Sequence, residues 1–192
     1  MPELQTTSIA LILALLGLLG TLFFVVRQRK TAELGSRLQR VSKARLENFL
    51  IPDGEGGEIH IEHALLCGRG IVVLDYKDVD GNIFGSDSMQ DWTVITGSKR
   101  FTFANPQHGL FDRTAAVVHL LPEVPVAGFV AFSERGRFTK GLPSHVINID
   151  VLLKQLANDG KGTSATLDAW WPAWEKLREE AVTAQVARLI ED

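Results

Sequence analysis

Two carboxylates and a lysine, Glu62, Asp75 and Lys77, are the residues whose types and spacing could do chemistry. Side chains at i and i+2 of a strand share a face, so Asp75 and Lys77 point the same way if GIVVLDYK is extended. That run is apolar until its C-terminal end, and charge at the end of a buried strand belongs at a rim or cleft. The preceding run, EIHIEHALL, carries Glu62. Folding the two runs back around Gly68-Arg69-Gly70 sets positions 62 and 75 roughly opposite each other. Two carboxylates a few ångströms apart repel unless a divalent cation holds them or one is protonated. Oxygen ligands alone favour a hard cation such as Mg2+. A lysine beside it can orient an attacking water or stabilise negative charge on a scissile phosphate. Such an unneutralised pair predicts that Asp75→Asn holds or raises stability without cation. The plainer alternative is a structural carboxylate–lysine pair at a strand end, whose loss would lower stability.

Other polar groups offer less. His60 and His63 fall on opposite faces of one strand and cannot share a metal, and His108, His119 and His145 lack ligand spacing. Asp78-Val79-Asp80-Gly81-Asn82 fails the calcium-loop pattern and reads as a turn. Cys67 is the single cysteine, so no intramolecular disulfide exists, and it reads as a small buried residue. Ser133 to Arg137, with Lys140, reads as a solvated basic loop that could touch phosphates. Trp170, Trp171 and Trp174 are expected to pack a terminal helix onto the domain, an aromatic partner-binding patch being the alternative.

The elements that must position these residues follow from periodicity and turn chemistry. A helical pattern runs from Thr31 to about Phe49, with Leu34, Leu38, Val41 and Leu46 on one face among basic residues. Pro52 to Gly57 is a loop. Strands are predicted over Glu58–Leu66, Gly70–Lys77, Asn82–Gly85, Trp92–Thr96 and Lys99–Ala104, the last two joined by a hairpin at Gly97-Ser98. A helix over Leu110–Leu121, a buried strand over Val126–Phe132, a short strand over Ser144–Ile147 and a short helix over Val151–Leu156 follow. A Trp-rich helical segment broken or started at Pro172 closes the chain. This order describes one compact α/β domain.

The run from Ile61 to Trp92 resembles the core of the nuclease-related domain (NERD) family, which belongs to the restriction-endonuclease-like superfamily of phosphodiesterases. The matching positions are Glu62-His63, Gly70, Asp75-Tyr76-Lys77, Gly81-Asn82-Ile83-Phe84-Gly85 and Trp92, and Asn105-Pro106 resembles the family's Asn-Pro before its second helix. The acidic residue of the family's first helix falls near Glu33. The resemblance covers roughly Thr31 to Leu156. It implies a mixed sheet flanked by helices, with Glu62 and Asp75 as Mg2+ ligands, Lys77 assisting the attacking water, and nucleic acid as substrate. Glu62 stands where Asp is usual and Asp75 where Glu is usual. The Gln expected three residues after Asn-Pro is Gly109 here, with Gln107 two places early and, like Glu33, a possible supporting residue.

The chain of 192 residues carries 22 % charged and 45 % hydrophobic residues, which excludes a disordered tail, and a net charge of −3, which gives no global attraction for nucleic acid. The stretch Ile9 to Val26 contains no charge and no proline. It approaches the roughly 20 apolar residues a membrane span needs. Glu3 precedes it, and Arg27, Arg29 and Lys30 follow, the reverse of a signal peptide. The positive-inside rule then puts the N-terminus outside and the remainder at the cytoplasmic face of the inner membrane. The expected organisation is a tail at 1–8, a single transmembrane helix at 9–26 in contact with membrane lipid, and a basic stop at 27–30. The NERD-like domain is expected at 31–157, with the helical C-terminal segment at 158–192. Two functions fit: a membrane-anchored, metal-dependent phosphodiesterase acting on nucleic acid, or a non-catalytic binding or scaffold module of the same fold.

Overall fold

The computed structural model describes residues 20, 21, 25, 32–159 and 164–191. Apart from residues 20, 21 and 25, the expected tail, span and basic stop at 1–30 lie outside the described residues. Among the described residues, no helix is long and apolar enough to cross a membrane. The elements in chain order are α1 (32–41), β1 (Ala44–Pro52), β2 (Glu58–Cys67), β3 (Gly70–Lys77), β4 (Gly81–Phe84), β5 (Asp91–Thr96) and β6 (Lys99–Ala104). Then come α2 (Pro106–Leu120), β7 (Val126–Phe132), β8 (Gly136–Phe138), β9 (Val146–Asn148), α3 (Ile149–Asn158) and α4 (Ser164–Glu191). The chain divides into two compact units between Arg40 and Val41.

In the N-terminal unit, Leu34 and Leu38 are buried, as their helical spacing predicts. The second unit holds two sheets. The first, in order β1-β2-β3-β7-β9, is antiparallel through β1, β2 and β3, and β7 and β9 continue it in parallel. The second has order β6-β5-β4-β8. β4 and β8 each follow, after three residues, a strand of the first sheet, β3 and β7 respectively. Between those exits Ser133 N–H donates to the Lys77 carbonyl at 3.0 Å and Ser133 Oγ to the Val79 carbonyl at 3.1 Å. The C-terminal end of β3, which carries the candidate lysine, is therefore fixed at the junction of the sheets.

Trp92 fills that junction. It is fully buried, with its ring centroid 6.2 Å from both Phe132 and Phe103 and 5.7 Å from Phe138, so it joins side chains of both sheets. A side chain at Gly85 would begin 2.4 Å from its indole, so glycine there lets the backbone lie against the ring. The glycine–tryptophan pairing in the sequence is thus a packing device.

α2 is started by Asn105 and Pro106. The Asn105 side chain accepts from Gln107 N–H at 2.9 Å while its amide donates to the Met89 carbonyl at 3.0 Å, and Pro106 occupies the first turn, where no N–H is needed. Leu110, Ala116, Val117 and Leu121 face the core with Val130 and Phe132 of β7. α3 starts directly after β9, with Asn148 as its cap.

Four expectations about elements need correction. The helix expected to reach Phe49 ends at 41, and residues Ala44–Pro52 are a strand. Their pairing with β2, from Ala44 opposite Leu66 to Pro52 opposite Glu58, buries Phe49 and Ile51, and that gain overrides the weak helical periodicity. The segment read as a solvated loop after Phe132 contains β8, whose Gly136, Arg137 and Phe138 pair with β4. α2 begins at Pro106 rather than Leu110, which leaves Asp112 in mid-helix. α4 runs through Pro172, and it packs on β1 through Trp174, buried to 2 % exposure, while Trp171 stays exposed.

Candidate functional site

The β2–β3 hairpin assembles the three residues from sequence register alone. Cys67 pairs with Gly70 and His63 with Leu74, so the next pair outward is Glu62 with Asp75. Lys77 lies two residues further along β3 on the same face. The ammonium of Lys77 is 3.6 Å from Glu62 Oε2, and the same oxygen accepts the Tyr76 N–H at 3.1 Å. Burial raises the Glu62 carboxyl above its ordinary range, Lys77 opposes the rise, and the neighbouring charge of Asp75 adds to it.

Asp75 is the more buried acid, its side chain only 3 % exposed. Its Oδ2 accepts from Arg113 Nη1 of α2 at 2.9 Å, and Arg113 Nε donates to the His60 carbonyl at 2.8 Å. Oδ1 is buried and has no hydrogen-bond partner. An orphaned carboxylate oxygen beside a second carboxylate is a fit for a hard cation, which takes oxygen ligands and completes its shell with water or phosphate. Among the described residues no group of three or more His, Cys, Asp or Glu side chains could hold a metal. The protein's share of such a site would be limited to the Glu62–Asp75 pair. Arg113 also changes the stability expected of Asp75→Asn: the acid is already ion-paired, so removing its charge costs stability.

Arg113 was missed in the sequence because one arginine on a helix is normally a solvated cation. One signal was available: it sits three residues after Leu110 and four before Val117, on the stripe that α2 buries. A side chain at Gly109, one turn earlier, would begin 2.7 Å from Arg113 Nη1.

His63 lies on the opposite face of β2 and is buried, 3.9 Å from both Glu47 Oε2 and Glu62 Oε1, with Nδ1 unpartnered. Burial, its largest influence, pushes its imidazole from the ordinary 6.5 down to about 4. Gln107 is also buried, but its amide donates to Asp87 Oδ1 at 2.7 Å and to the Ser144 carbonyl at 2.6 Å rather than to Glu62 or Asp75. It ties α2 to the segments before β5 and β9. Glu33 belongs to the N-terminal unit, where it is exposed and its carbonyl accepts from Ser36 Oγ at 2.8 Å.

An uncharacterized protein of Bacillus anthracis is 28 % identical over 98 residues, which is 50 % of this chain and 46 % of that protein. The chain thus spans about half the length of the curated relative it matches. No solved structure matches it. The family model of the nuclease-related domain matches residues 27–133, from before α1 to the end of β7, taking in both arms of the hairpin with Glu62, Asp75 and Lys77 and the whole of α2. That match covers more than half of the sequence, and the chain belongs to the nuclease-related domain (NERD) family.

Proposed function

We propose that this protein is a membrane-anchored, divalent-cation-dependent phosphodiesterase acting on nucleic acid, with Glu62 and Asp75 as cation ligands and Lys77 beside them. The observation that carries the reading is Asp75 Oδ1, buried and unpartnered next to a second carboxylate. Mg2+ at this pair would supply charge stabilisation to the phosphoryl oxygens. The chain's own residues do the rest. Glu62 is held in place by the Tyr76 N–H, which fixes the direction in which it presents its other oxygen. Lys77, about one third exposed, can reach solvent, orient the attacking water and oppose the charge that develops on the phosphate. Membrane attachment rests on the apolar stretch Ile9 to Val26 and the basic residues after it, which put the site at the cytoplasmic face.

The second reading, a non-catalytic module of the same fold, is favoured by one observation: Arg113 already neutralises Asp75. Calorimetric titration of Mg2+ into the full-length chain, paired with cleavage of labelled DNA and RNA, separates the two. The enzyme reading expects millimolar or tighter Mg2+ binding that Asp75→Asn weakens by about tenfold or more, and cleavage that Lys77→Ala reduces by about a hundredfold. Cation binding without cleavage of any nucleic acid would leave the binding module as the function.

A further inference from the structure

We propose that Arg113 is the phosphate-binding residue of this site, and that by holding the carboxylate pair neutral it makes cation and nucleic acid bind together rather than separately. The inference rests on the phosphodiesterase reading and assigns a residue to which that reading gives no role. Three observations converge. The guanidinium is fixed at two points, Nη1 on Asp75 Oδ2 at 2.9 Å and Nε on the His60 carbonyl at 2.8 Å, with its side chain still 27 % exposed. It lies where a side chain at position 109 would begin, 2.7 Å from Nη1, and position 109 is glycine. The absence of a side chain at position 109 leaves the guanidinium the room it occupies beside Asp75.

The third observation is the charge balance. Glu62 faces Lys77 and Asp75 faces Arg113, so the four ionised side chains sum to zero. A divalent cation entering alone would give the cluster two unbalanced positive charges in a half-buried place, where they repel strongly. A phosphodiester entering with it offsets one of those two charges, and a guanidinium is the side chain best shaped to take two phosphoryl oxygens. Each ligand should then raise the affinity for the other by the same factor.

The test is calorimetric titration of Ca2+, and separately of Mg2+, into the full-length protein with and without short DNA and RNA oligonucleotides. Wild type is expected to bind cation about fivefold tighter or more when an oligonucleotide is present. Arg113→Gln keeps a donor but removes the charge. It should bind cation more tightly than wild type in the absence of nucleic acid, bind oligonucleotide more weakly, and lose the coupling. A purely structural arginine would predict the opposite for cation, since its loss would disorder Asp75. Gly109→Ala leaves the charge and crowds the guanidinium off Asp75, so it should shift cation affinity in the same direction by less, and thermal melts confirm that both variants fold. If wild type binds cation but neither variant binds it more tightly, this inference is wrong and the phosphodiesterase reading stands. If wild type binds no cation with or without oligonucleotide, both fall together.

Discussion

His63 shows how one side chain can carry a measurable part of the pH response. Its imidazole is buried with Nδ1 unpartnered, and its pKa falls from the ordinary 6.5 to about 4. A group whose folded pKa lies below its unfolded value contributes stability that is present above the unfolded pKa. That stability is lost as pH falls through the folded one. The window is therefore pH 6.5 down to about 4, and the loss is at most about 3 kcal/mol. Glu62 acts with the opposite sign. Its raised carboxyl contributes stability below the ordinary value of 4.5, and that contribution is lost as pH rises through the higher folded value. Urea unfolding of wild type and His63→Gln between pH 7 and pH 4 is expected to show a flatter acid limb in the variant. Equal slopes would mean that another group carries the acid response.

The β2–β3 hairpin is the element on which the site depends, because its register alone sets Glu62 opposite Asp75. Its turn leads into Gly70 at φ +114, a conformation that L side chains rarely adopt. A Cβ at that position would meet the Pro125 carbonyl oxygen at 2.1 Å, the acceptor of the Ile71 N–H. Neither the backbone angle nor the backbone oxygen can yield cheaply. Gly70→Ala is therefore expected to destabilise by about 2 kcal/mol or more, read from the midpoint of chemical denaturation. Gly97→Ala, at φ +58 with nothing near its Cβ, isolates the backbone term and should cost about 1 kcal/mol. Equal losses at the two positions would show that the Pro125 contact is not part of the cost.

At the scale of the whole molecule, orientation is the property with the widest consequence. If the basic residues Arg27, Arg29 and Lys30 hold the following chain on the cytoplasmic side, a reporter fused after Asp192 that works only in the cytoplasm will be active. One that works only outside the membrane will be silent. The reverse pattern would remove the site from the compartment that holds nucleic acid, and the proposed substrate with it. The positive contribution is local, since the chain as a whole carries a net charge of −3. Phosphate recognition must then come from individual cations at the site rather than from a global field.

Local chemistry wrote the β2–β3 hairpin, its turn at Gly68-Arg69 and the register that sets Glu62 opposite Asp75 into the sequence, whereas the start of α2 at Pro106 lies four residues before the expected one. The hairpin features depend on side-chain alternation or on backbone preferences within a few residues, and such signals survive without knowledge of the rest of the chain. The family was legible for the same reason, since its motif is carried by that hairpin and the glycine–tryptophan packing that follows. Three features were decided by the tertiary structure. Ala44–Pro52 became a strand because β2 offers it a ladder from Ala44 to Pro52, interrupted at Asn48, and a buried place for Phe49 and Ile51. β8 formed because β4 was free on one side to pair with a segment more than 50 residues away. Arg113 entered the site because α2 crosses the sheet with Gly109 beneath the guanidinium. In all three the deciding energy lies in contacts between residues far apart in the chain, and no local pattern encodes which distant partner a strand edge or a helix face will meet.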